Sequence, residues 1–536
     1  MTRAAGAGAD GDNAAMTEIE LRFQIPASQL AAVRRWVTGD ARQPARRERL
    51  QAAYFDTPER DLARAGFALR LRREGRRWVQ TLKGASPDGM SRLEHNVALG
   101  SGAAMPALEV ARHAGHPAGD ALLALVAQLP AGALQALFRT DIRRSSRALR
   151  TRHGEVELAL DEGALLAGEG EDLRQNAVAE LEIELKRGRP QAVLEVAQRW
   201  ALGRFGLSLE LRTKALRGDL LARRQSMAPV RQAELPMWPR EATPAQALQA
   251  LLRASVEPIL GNASQLIAGP QQPEHLHQLR LALRQLRVGL RLLRGEDERA
   301  ARGANEVASE GAALPLRGLE AGAAELARAL APLRDAQVLA QAAWREPLAQ
   351  AWQAQGQPLA ALTWPEPPQP AAGELLARRE AQAWMLALLA QLVQTTAQTT
   401  ARTAQAPQPS DAAPLHTDAL LARWARRLAR DIARWPQLDV AGRHALRRDL
   451  RRQRLALALR GPDKGARAAH ARLLRRLQRA QQALGELNDL ELALARCRAA
   501  LSQPEQAGAA GFALGFLLPR QAKLLARALR RLGKLG

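Results

Sequence analysis

Glu18-Ile19-Glu20-Leu21-Arg22 decides the reading of the first half of the chain. Charged and apolar residues alternate, so in a strand all three charged side chains fall on one face. Two carboxylates there repel each other unless a cation joins them. Oxygen ligands suit Mg²⁺ or Mn²⁺. The pattern returns at Glu180-Leu181-Glu182-Ile183-Glu184, and Glu157 and Asp161 share a face of an earlier segment. Cationic segments complement them: Arg70-Leu71-Arg72, Lys83, and Arg92 beside Glu94. Such alternation is ordinary on one solvent face of an antiparallel sheet. An ordered set of acidic and basic strands is more specific, since a barrel of them gathers acids for a metal and bases for phosphate.

Around these segments, residues 16–220 read as a mixed domain. Alternation at Glu18–Gln24, Phe67–Arg73, Trp78–Lys83, Arg92–Leu99, Glu155–Asp161 and Ala179–Lys186 predicts strands. Turn signals lie at Pro87-Asp88-Gly89, Asp161-Glu162-Gly163 and Gly168-Glu169-Gly170. Helical patterns cover 27–37, 118–128 and 190–205. Residues 221–240, with Pro229, Pro236 and Pro239, read as a linker, and 1–15, rich in Ala, Gly and Asp, as a disordered tail with Met16 a candidate start. From Thr243-Pro244 the pattern is helical, so 241–536 is expected to be all α, with Pro/Gln-rich breaks near 356–370 and 405–414.

Length and charge fit two domains with polyanionic partners. The chain has 536 residues, too many for one core. Its 78 Lys and Arg against 54 Asp and Glu leave +24, and only six of the cations are Lys. Residues 251–536 carry 41 basic and 24 acidic residues, net +17, and residues 1–250 carry 37 and 30, net +7. Aromatics are 3%, which disfavours recognition by base stacking. The single cysteine, Cys497, excludes an internal disulfide or a Cys-based zinc site and fits a reducing cytosol. Neither a signal peptide nor a long apolar run is evident.

The helical half repeats a pattern. His277, Arg280, Arg284 and Arg287 have the same offsets as His444, Arg447, Arg451 and Arg454, and each set falls on one helical stripe. The first is followed by Leu330-Ala331-Pro332-Leu333-Arg334-Asp335 and the second by Leu484-Gly485-Glu486-Leu487-Asn488-Asp489. Two such stripes placed opposite each other form a basic groove. His275 and His277 are two apart and point to different faces, so they do not make a metal pair.

The first half resembles the CYTH domain, the triphosphate tunnel metalloenzymes. The resemblance rests on EIELRF, Tyr54-Phe55-Asp56-Thr57, Gly66 to Arg72, Gln80 to Gly84, Arg92-Leu93-Glu94, Phe138 to Asp141 with Arg144, Glu157 to Asp161, Glu180 to Glu184, and Thr213-Lys214-Ala215. It implies an antiparallel, eight-stranded β-tunnel that binds a triphosphate with Mg²⁺ or Mn²⁺. By resemblance, Glu18, Glu20, Asp161, Glu180, Glu182 and Glu184 are metal-side residues. Arg22, Arg70, Arg72, Lys83, Arg92, Arg144 and Lys214 hold phosphate, and Glu18, Glu20, Arg22 and Lys83 form the catalytic set. The family's first motif usually ends in Lys, where this chain has Arg22. Arginine holds phosphate but is a poor general base.

The second half resembles the CHAD domain, which implies two four-helix bundles with a basic surface for inorganic polyphosphate. The two His/Arg stripes are its expected contacts, while Asp335 and Asp489 orient arginines or cap helices. The whole is a multidomain α+β protein. It is expected to be a cytoplasmic inorganic triphosphatase associated with polyphosphate granules, with no membrane and no specific nucleic-acid partner. Alternatives are a non-catalytic polyphosphate scaffold, a thiamine triphosphatase and an adenylate cyclase. For the last, no adenine-recognition motif is evident.

Overall fold

The structure is a computed structural model that describes residues 17–39, 44–84, 91–239, 241–303, 310–357, 370–404 and 415–535. The expected tail at 1–15, the Pro87-Asp88-Gly89 turn and most of the two Pro/Gln-rich breaks lie outside the described residues. The chain divides into two compact units, Met1–Pro229 and Val230–Gly536.

The first unit is built on nine strands among the described residues: β1 (Thr17–Gln24), β2 (Arg46–Asp56), β3 (Ala68–Glu74), β4 (Arg77–Lys83), β5 (Ser91–Ser101), β6 (Gln135–Thr151), β7 (Gly154–Ala167), β8 (Arg174–Gly188) and β9 (Ser208–Leu209). Their order is β5-β4-β3-β2-β6-β7-β8-β1-β9, with an additional pairing of β5 with β1. Every paired register is antiparallel. The expectation of eight strands is corrected to nine, because the two-residue β9 pairs with Phe23 and Gln24 of β1. The further pairing of β1 with β5, from Thr17↔Leu93 to Ile19↔Ser91, links the two ends of the run from β5 to β1. The turn expected at Asp161-Glu162-Gly163 is also corrected, since all three residues lie inside β7. Gly163 serves a close approach of two strands there: a Cβ on it would lie 2.0 Å from the Asp141 carbonyl oxygen.

Around this sheet lie α1 (Ala27–Thr38), α2 (Asp61–Arg64), α3 (Pro117–Val126), α4 (Gln191–Val196) and α5 (Lys214–Ala222). A π-helical turn, Ala197–Leu202, continues α4. Apolar faces hold the helices in place. Ala118 and Leu122 of α3 pack on Leu62, Leu69 and Leu82. Ala215, Leu221 and Ala222 of α5 pack on Ala52, Tyr54, Phe138 and Ala167. Thr213 caps α5 by accepting a hydrogen bond from the Leu216 N–H at 3.0 Å, which places Lys214 in its first turn.

The second unit is helical: α6 (Pro244–Ile267), α7 (Pro273–Gly303), α8 (Glu310–Ala329), α9 (Ala331–Ala340), α10 (Arg345–Gln353), α11 (Ala372–Ala377), α12 (Arg379–Ala404), α13 (Asp418–Ala433), α14 (Val440–Arg460), α15 (Arg467–Ala500) and α16 (Pro504–Leu532). A capping box starts α6: Thr243 Oγ1 accepts from Gln246 N–H, and the Gln246 side chain accepts from Thr243 N–H. Helices α6, α7, α8 and α12 pack together. Leu428, Leu446, Leu450, Leu477, Leu484 and Leu532 gather α13, α14, α15 and α16 around a second core. The segment before α6 is tied to this unit, since Arg231, Ala233 and Trp238 donate backbone N–H groups to Asn262, Gln278 and Leu459. Among the described residues, no helix is long and apolar enough to cross a membrane.

Candidate functional site

Register places the charges of the first unit. Arg144 of β6 lies opposite Asp161 of β7, and Asp161 lies opposite Glu180 of β8. Arg22 of β1 lies opposite Glu182 and Glu20 opposite Glu184. Lys83 of β4 lies opposite Glu94 of β5. Cross-strand neighbours on one face interact directly, so Arg144–Asp161, Arg22–Glu182 and Lys83–Glu94 oppose charges, while Asp161–Glu180 and Glu20–Glu184 set carboxylates side by side and call for a cation between them.

Asp161, Glu180 and Glu182 each bring a carboxylate oxygen within 4.8 Å of the others. Asp161 and Glu180 are both 1% exposed. Three converging carboxylates are an oxygen-donor set of the kind that suits Mg²⁺ or Mn²⁺. Glu20 and Glu184 lie outside this three-residue group, and the side chain of Glu18 lies outside the described residues. Glu184 has its pKa pushed up by burial and by Glu157 and Glu20, with Lys186 opposing.

Cations fill the space around the three acids. Lys214 Nζ lies 2.7 Å from Asp161 and 2.8 Å from Glu182, and also contacts Glu180. Arg144 grips Asp161 with two bonds of 2.7 Å and also reaches Glu182. Arg217 contacts Glu180. Burial alone would raise the Glu182 carboxyl, but Lys214, Arg144 and Arg22 outweigh it and hold it well below the usual carboxylate range. Burial likewise opposes the charge on Lys214, yet the three acids push its pKa above the ordinary lysine value. Lys214 and Arg144, expected at phosphate, thus stand on the carboxylates in this structure. The sequence reading does not single out Arg217. Its signal is modest: it lies three residues after Lys214, on the same face of α5.

Arg22 sits with the acids. Burial disfavours its charge, but Glu20, Glu180, Glu182 and Glu210 outweigh that and raise its pKa. It therefore stays protonated and cannot take a proton from water.

The cationic strands carry Arg70, Arg72 and Lys83. Arg70 donates to the Tyr54 hydroxyl at 3.0 Å, and Lys83 pairs with Glu94 at 2.9 Å. Arg72 contacts Glu74, while its buried Nε has no hydrogen-bond partner. Burial and Arg70 lower the Arg72 pKa, with Glu74 opposing. Crowded, desolvated guanidinium groups favour an anionic partner. Tyr54 was not expected among the site residues. Burial works to raise its pKa, but Arg70, Lys214 and Lys83 outweigh it and lower it. The side chain of Arg92 lies outside the described residues, although its backbone pairs with Glu18.

In the second unit, α7 packs against α14 and brings the two stripes together. Burial depresses the Arg284 pKa, and Arg451, Arg280, Arg447 and Arg334 depress it further. Arg451 is pushed down to about 10 by burial, then by Arg447, Arg280 and Arg454. Nε atoms of Arg284, Arg287 and Arg447 are buried without hydrogen-bond partners. Arg454 donates to Gln481 at 2.8 Å, and His444 lies 3.7 Å from Glu491. Burial and Arg334 lower the His277 pKa, so this ring gains charge only below the ordinary histidine range.

Burial lowers the Arg447 pKa, and the nearby Asp489 and Asp335 oppose that shift without reversing it. Their alternative role as helix caps is corrected: Asp335 lies inside α9 and Asp489 inside α15. Arg334 joins this cluster beside both stripes.

Residues 16–213 match the CYTH domain family, and residues 250–498 match the CHAD domain family. An inorganic triphosphatase of Haemophilus influenzae is 31% identical over 177 residues, covering 32% of this chain and 46% of that protein. The chain therefore spans about half the length of this curated relative. Among solved structures, the CHAD domain of the plant Ricinus communis is 24% identical with a TM-score of 0.40, over 57% of this chain and 97% of that one. A Hippeastrum protein described as having a dominant triphosphatase activity is 18% identical with a TM-score of 0.26, over 39% of this chain and 97% of that one.

Proposed function

We propose, for a chain that carries a CYTH domain at 16–213 followed by a CHAD domain at 250–498, that the first domain hydrolyses inorganic triphosphate and the second binds inorganic polyphosphate. The observation that carries the first part is the convergence of Asp161, Glu180 and Glu182 within 4.8 Å, with the cations Arg70, Arg72 and Lys83 in the same electrostatic neighbourhood. The acids would hold Mg²⁺ or Mn²⁺, which supplies Lewis-acid stabilisation of phosphoryl oxygens when bound. Arg70, Arg72, Lys83 and Arg92 bind and orient the phosphate chain and offset its charge. Arg22 keeps the acids in place and, remaining charged, does not act as the base.

The test is phosphate release from tripolyphosphate with Mg²⁺ or Mn²⁺. Release is expected in the wild type. Glu182→Gln and the double variant Glu18→Ala/Glu20→Ala are expected to lower it on the order of a hundredfold, the scale of losing an electrostatic contact to the transition state. Unchanged release in both variants would sink the catalytic assignment. A second reading, a polyphosphate scaffold without turnover, is favoured by Arg22 in place of the family's usual lysine. It predicts tight polyphosphate binding with no phosphate release under any metal.

Polyphosphate binding rests on the facing stripes His277, Arg280, Arg284, Arg287 and His444, Arg447, Arg451, Arg454. Burial depresses the pKa of all six arginines, and arginine neighbours add to it for Arg280, Arg284, Arg287, Arg447 and Arg451, so the stripes hold desolvated positive charge. A phosphate polymer would restore the charge balance and satisfy the buried Nε donors. In a cell, such binding would place the chain in the cytoplasm at polyphosphate granules.

A further inference from the structure

Cations crowd every oxygen of the three acids. Arg144 takes both oxygens of Asp161, at 2.7 Å each, and Oε2 of Glu182. Arg217 takes Oε2 of Glu180. Lys214 takes Oε1 of Glu180, Oε1 of Glu182 at 2.8 Å, and shares Oδ2 of Asp161 at 2.7 Å. All six carboxylate oxygens therefore lie against cations, although Glu180 Oε1 makes no hydrogen bond and meets Lys214 by charge alone. Three carboxylates and three cations are also electrically neutral together. A divalent ion added to this group would leave an excess charge of two in a desolvated site, which is strongly unfavourable.

One cation must leave for a metal to enter. Among the three, Lys214 alone contacts every acid of the group. Its point charge lies against all three acids, whereas Arg144 holds Asp161 and Glu182, and Arg217 holds Glu180 alone, each through a planar guanidinium. A metal bonded to those oxygens at roughly 2.1 Å would overlap an ammonium held at hydrogen-bond distance from the same oxygens. The lysine stem, on the first turn of α5, can swing through its side-chain torsions without moving a strand. Its charge then needs a new anion.

We propose that Lys214 is a resident cation at the acidic centre, displaced by the divalent metal and thereby delivered to the phosphate chain. This rests on the metal reading above. Metal and triphosphate then bind cooperatively, because the substrate receives the charge that the metal expels. Lys214 is a positioning residue toward the metal, and its exchange makes metal loading alone weak.

The test uses the full chain. With only six lysines, Nζ signals are resolvable by ¹⁵N-lysine NMR, and Lys214→Met identifies the relevant one. On titration with Mg²⁺ the Lys214 signal is expected to move while the others stay. By calorimetry without substrate, Lys214→Met is expected to bind Mn²⁺ about tenfold tighter than the wild type, the scale of removing one nearby like charge. Arg217→Met removes a charge that touches Glu180 alone and leaves Nζ between the three acids, so it is expected to tighten binding by less than about threefold. A non-hydrolysable triphosphate analogue is expected to tighten Mn²⁺ binding to the wild type and not to Lys214→Met.

The proposal is overturned if metal binds the wild type with the Lys214 signal unmoved, or if Arg217→Met tightens binding as much as Lys214→Met. Absence of Mn²⁺ binding in the wild type and Lys214→Met alike would overturn the metal reading itself, and this proposal with it. Should Lys214→Met fail to fold, Lys→Arg variants at the other five lysines assign the Lys214 signal by elimination, and the Mg²⁺ titration of the wild type then decides between displacement and coexistence.

Discussion

Asp161 shows how tightly single residues are bound into the site. It is 1% exposed and is held by both Arg144 and Lys214. Asp161→Asn removes the charge and leaves two buried cations short of a partner. The expected loss is about 3–5 kcal/mol, the usual effect of breaking a buried pair from one side. Denaturant unfolding measures it, and a loss under about 1 kcal/mol would show that water or another acid replaces the carboxylate. A separate residue sets acid sensitivity. His113 Nδ1 lies 3.0 Å from His95 Nδ1, and the His95 ring stacks on His116 with centroids 4.6 Å apart. Burial, then His95, His116 and Arg112, push the His113 pKa down to about 4. The unfolded chain takes up a proton near pH 6.5 that the folded chain refuses until about 4. The corresponding stability is therefore complete above about pH 6.5 and is lost as pH falls toward 4, by roughly 3 kcal/mol. His113→Gln is expected to flatten the dependence in that window. Equal slopes in wild type and variant, read from denaturant midpoints across pH, would refute it.

At the scale of elements, α5 is the part that delivers Lys214 and Arg217 to the acids. Its seat depends on one close approach. A Cβ at Gly218 would lie 2.2 Å from ring carbons of Phe138 on β6. Gly218→Ala must therefore tilt the ring or lift the helix. The expected destabilisation is about 1–3 kcal/mol, and phosphate release is expected to fall with it because both cations move. Unfolding curves and tripolyphosphate turnover on the same sample check this. A stable variant with full turnover would show that Phe138 can give way freely. This scale also shows what is legible in the sequence. Strands β1, β3, β4, β5, β7 and β8 are legible because short segments bounded by turn signals mix polar and apolar residues along them, most plainly where charge alternates in β1, β3, β7 and β8. β2 and β6 are not. In β6, Arg143 and Arg144 are adjacent, as are Ser145 and Ser146, so polar residues fall on both faces and the period of two is lost. Without β6 as a strand, spacing alone cannot put Arg144 opposite Asp161. The arginine stripes of α7 and α14 are legible because duplicated offsets survive any register. Arg334 and Glu491 are not, since they join the cluster from α9 and α15 through tertiary packing.

Over the whole molecule, the +24 charge separates into two kinds of demand. In the first unit acids and bases are locally balanced, as the neutral group of Asp161, Glu180 and Glu182 with Lys214, Arg144 and Arg217 illustrates. In the second unit burial, then mutual repulsion, depresses the pKa values of Arg284 and Arg451. Salt is therefore expected to affect the two proposed activities differently. Polyphosphate binding releases condensed counterions, so its affinity is expected to fall at least tenfold between about 50 and about 200 mM salt. The double variant Arg284→Ala/Arg451→Ala is expected to weaken that binding and reduce its salt slope, while leaving tripolyphosphate hydrolysis within about twofold of wild type, since neither residue belongs to the acidic site. Filter binding of long-chain polyphosphate and phosphate release, measured over the same salt series, provide the comparison. If the stripe variant retains the wild-type slope, polymer is held by diffuse positive charge and the paired stripes are not its site. If hydrolysis falls in step with binding, the two units do not act separately, and polymer engagement contributes to turnover.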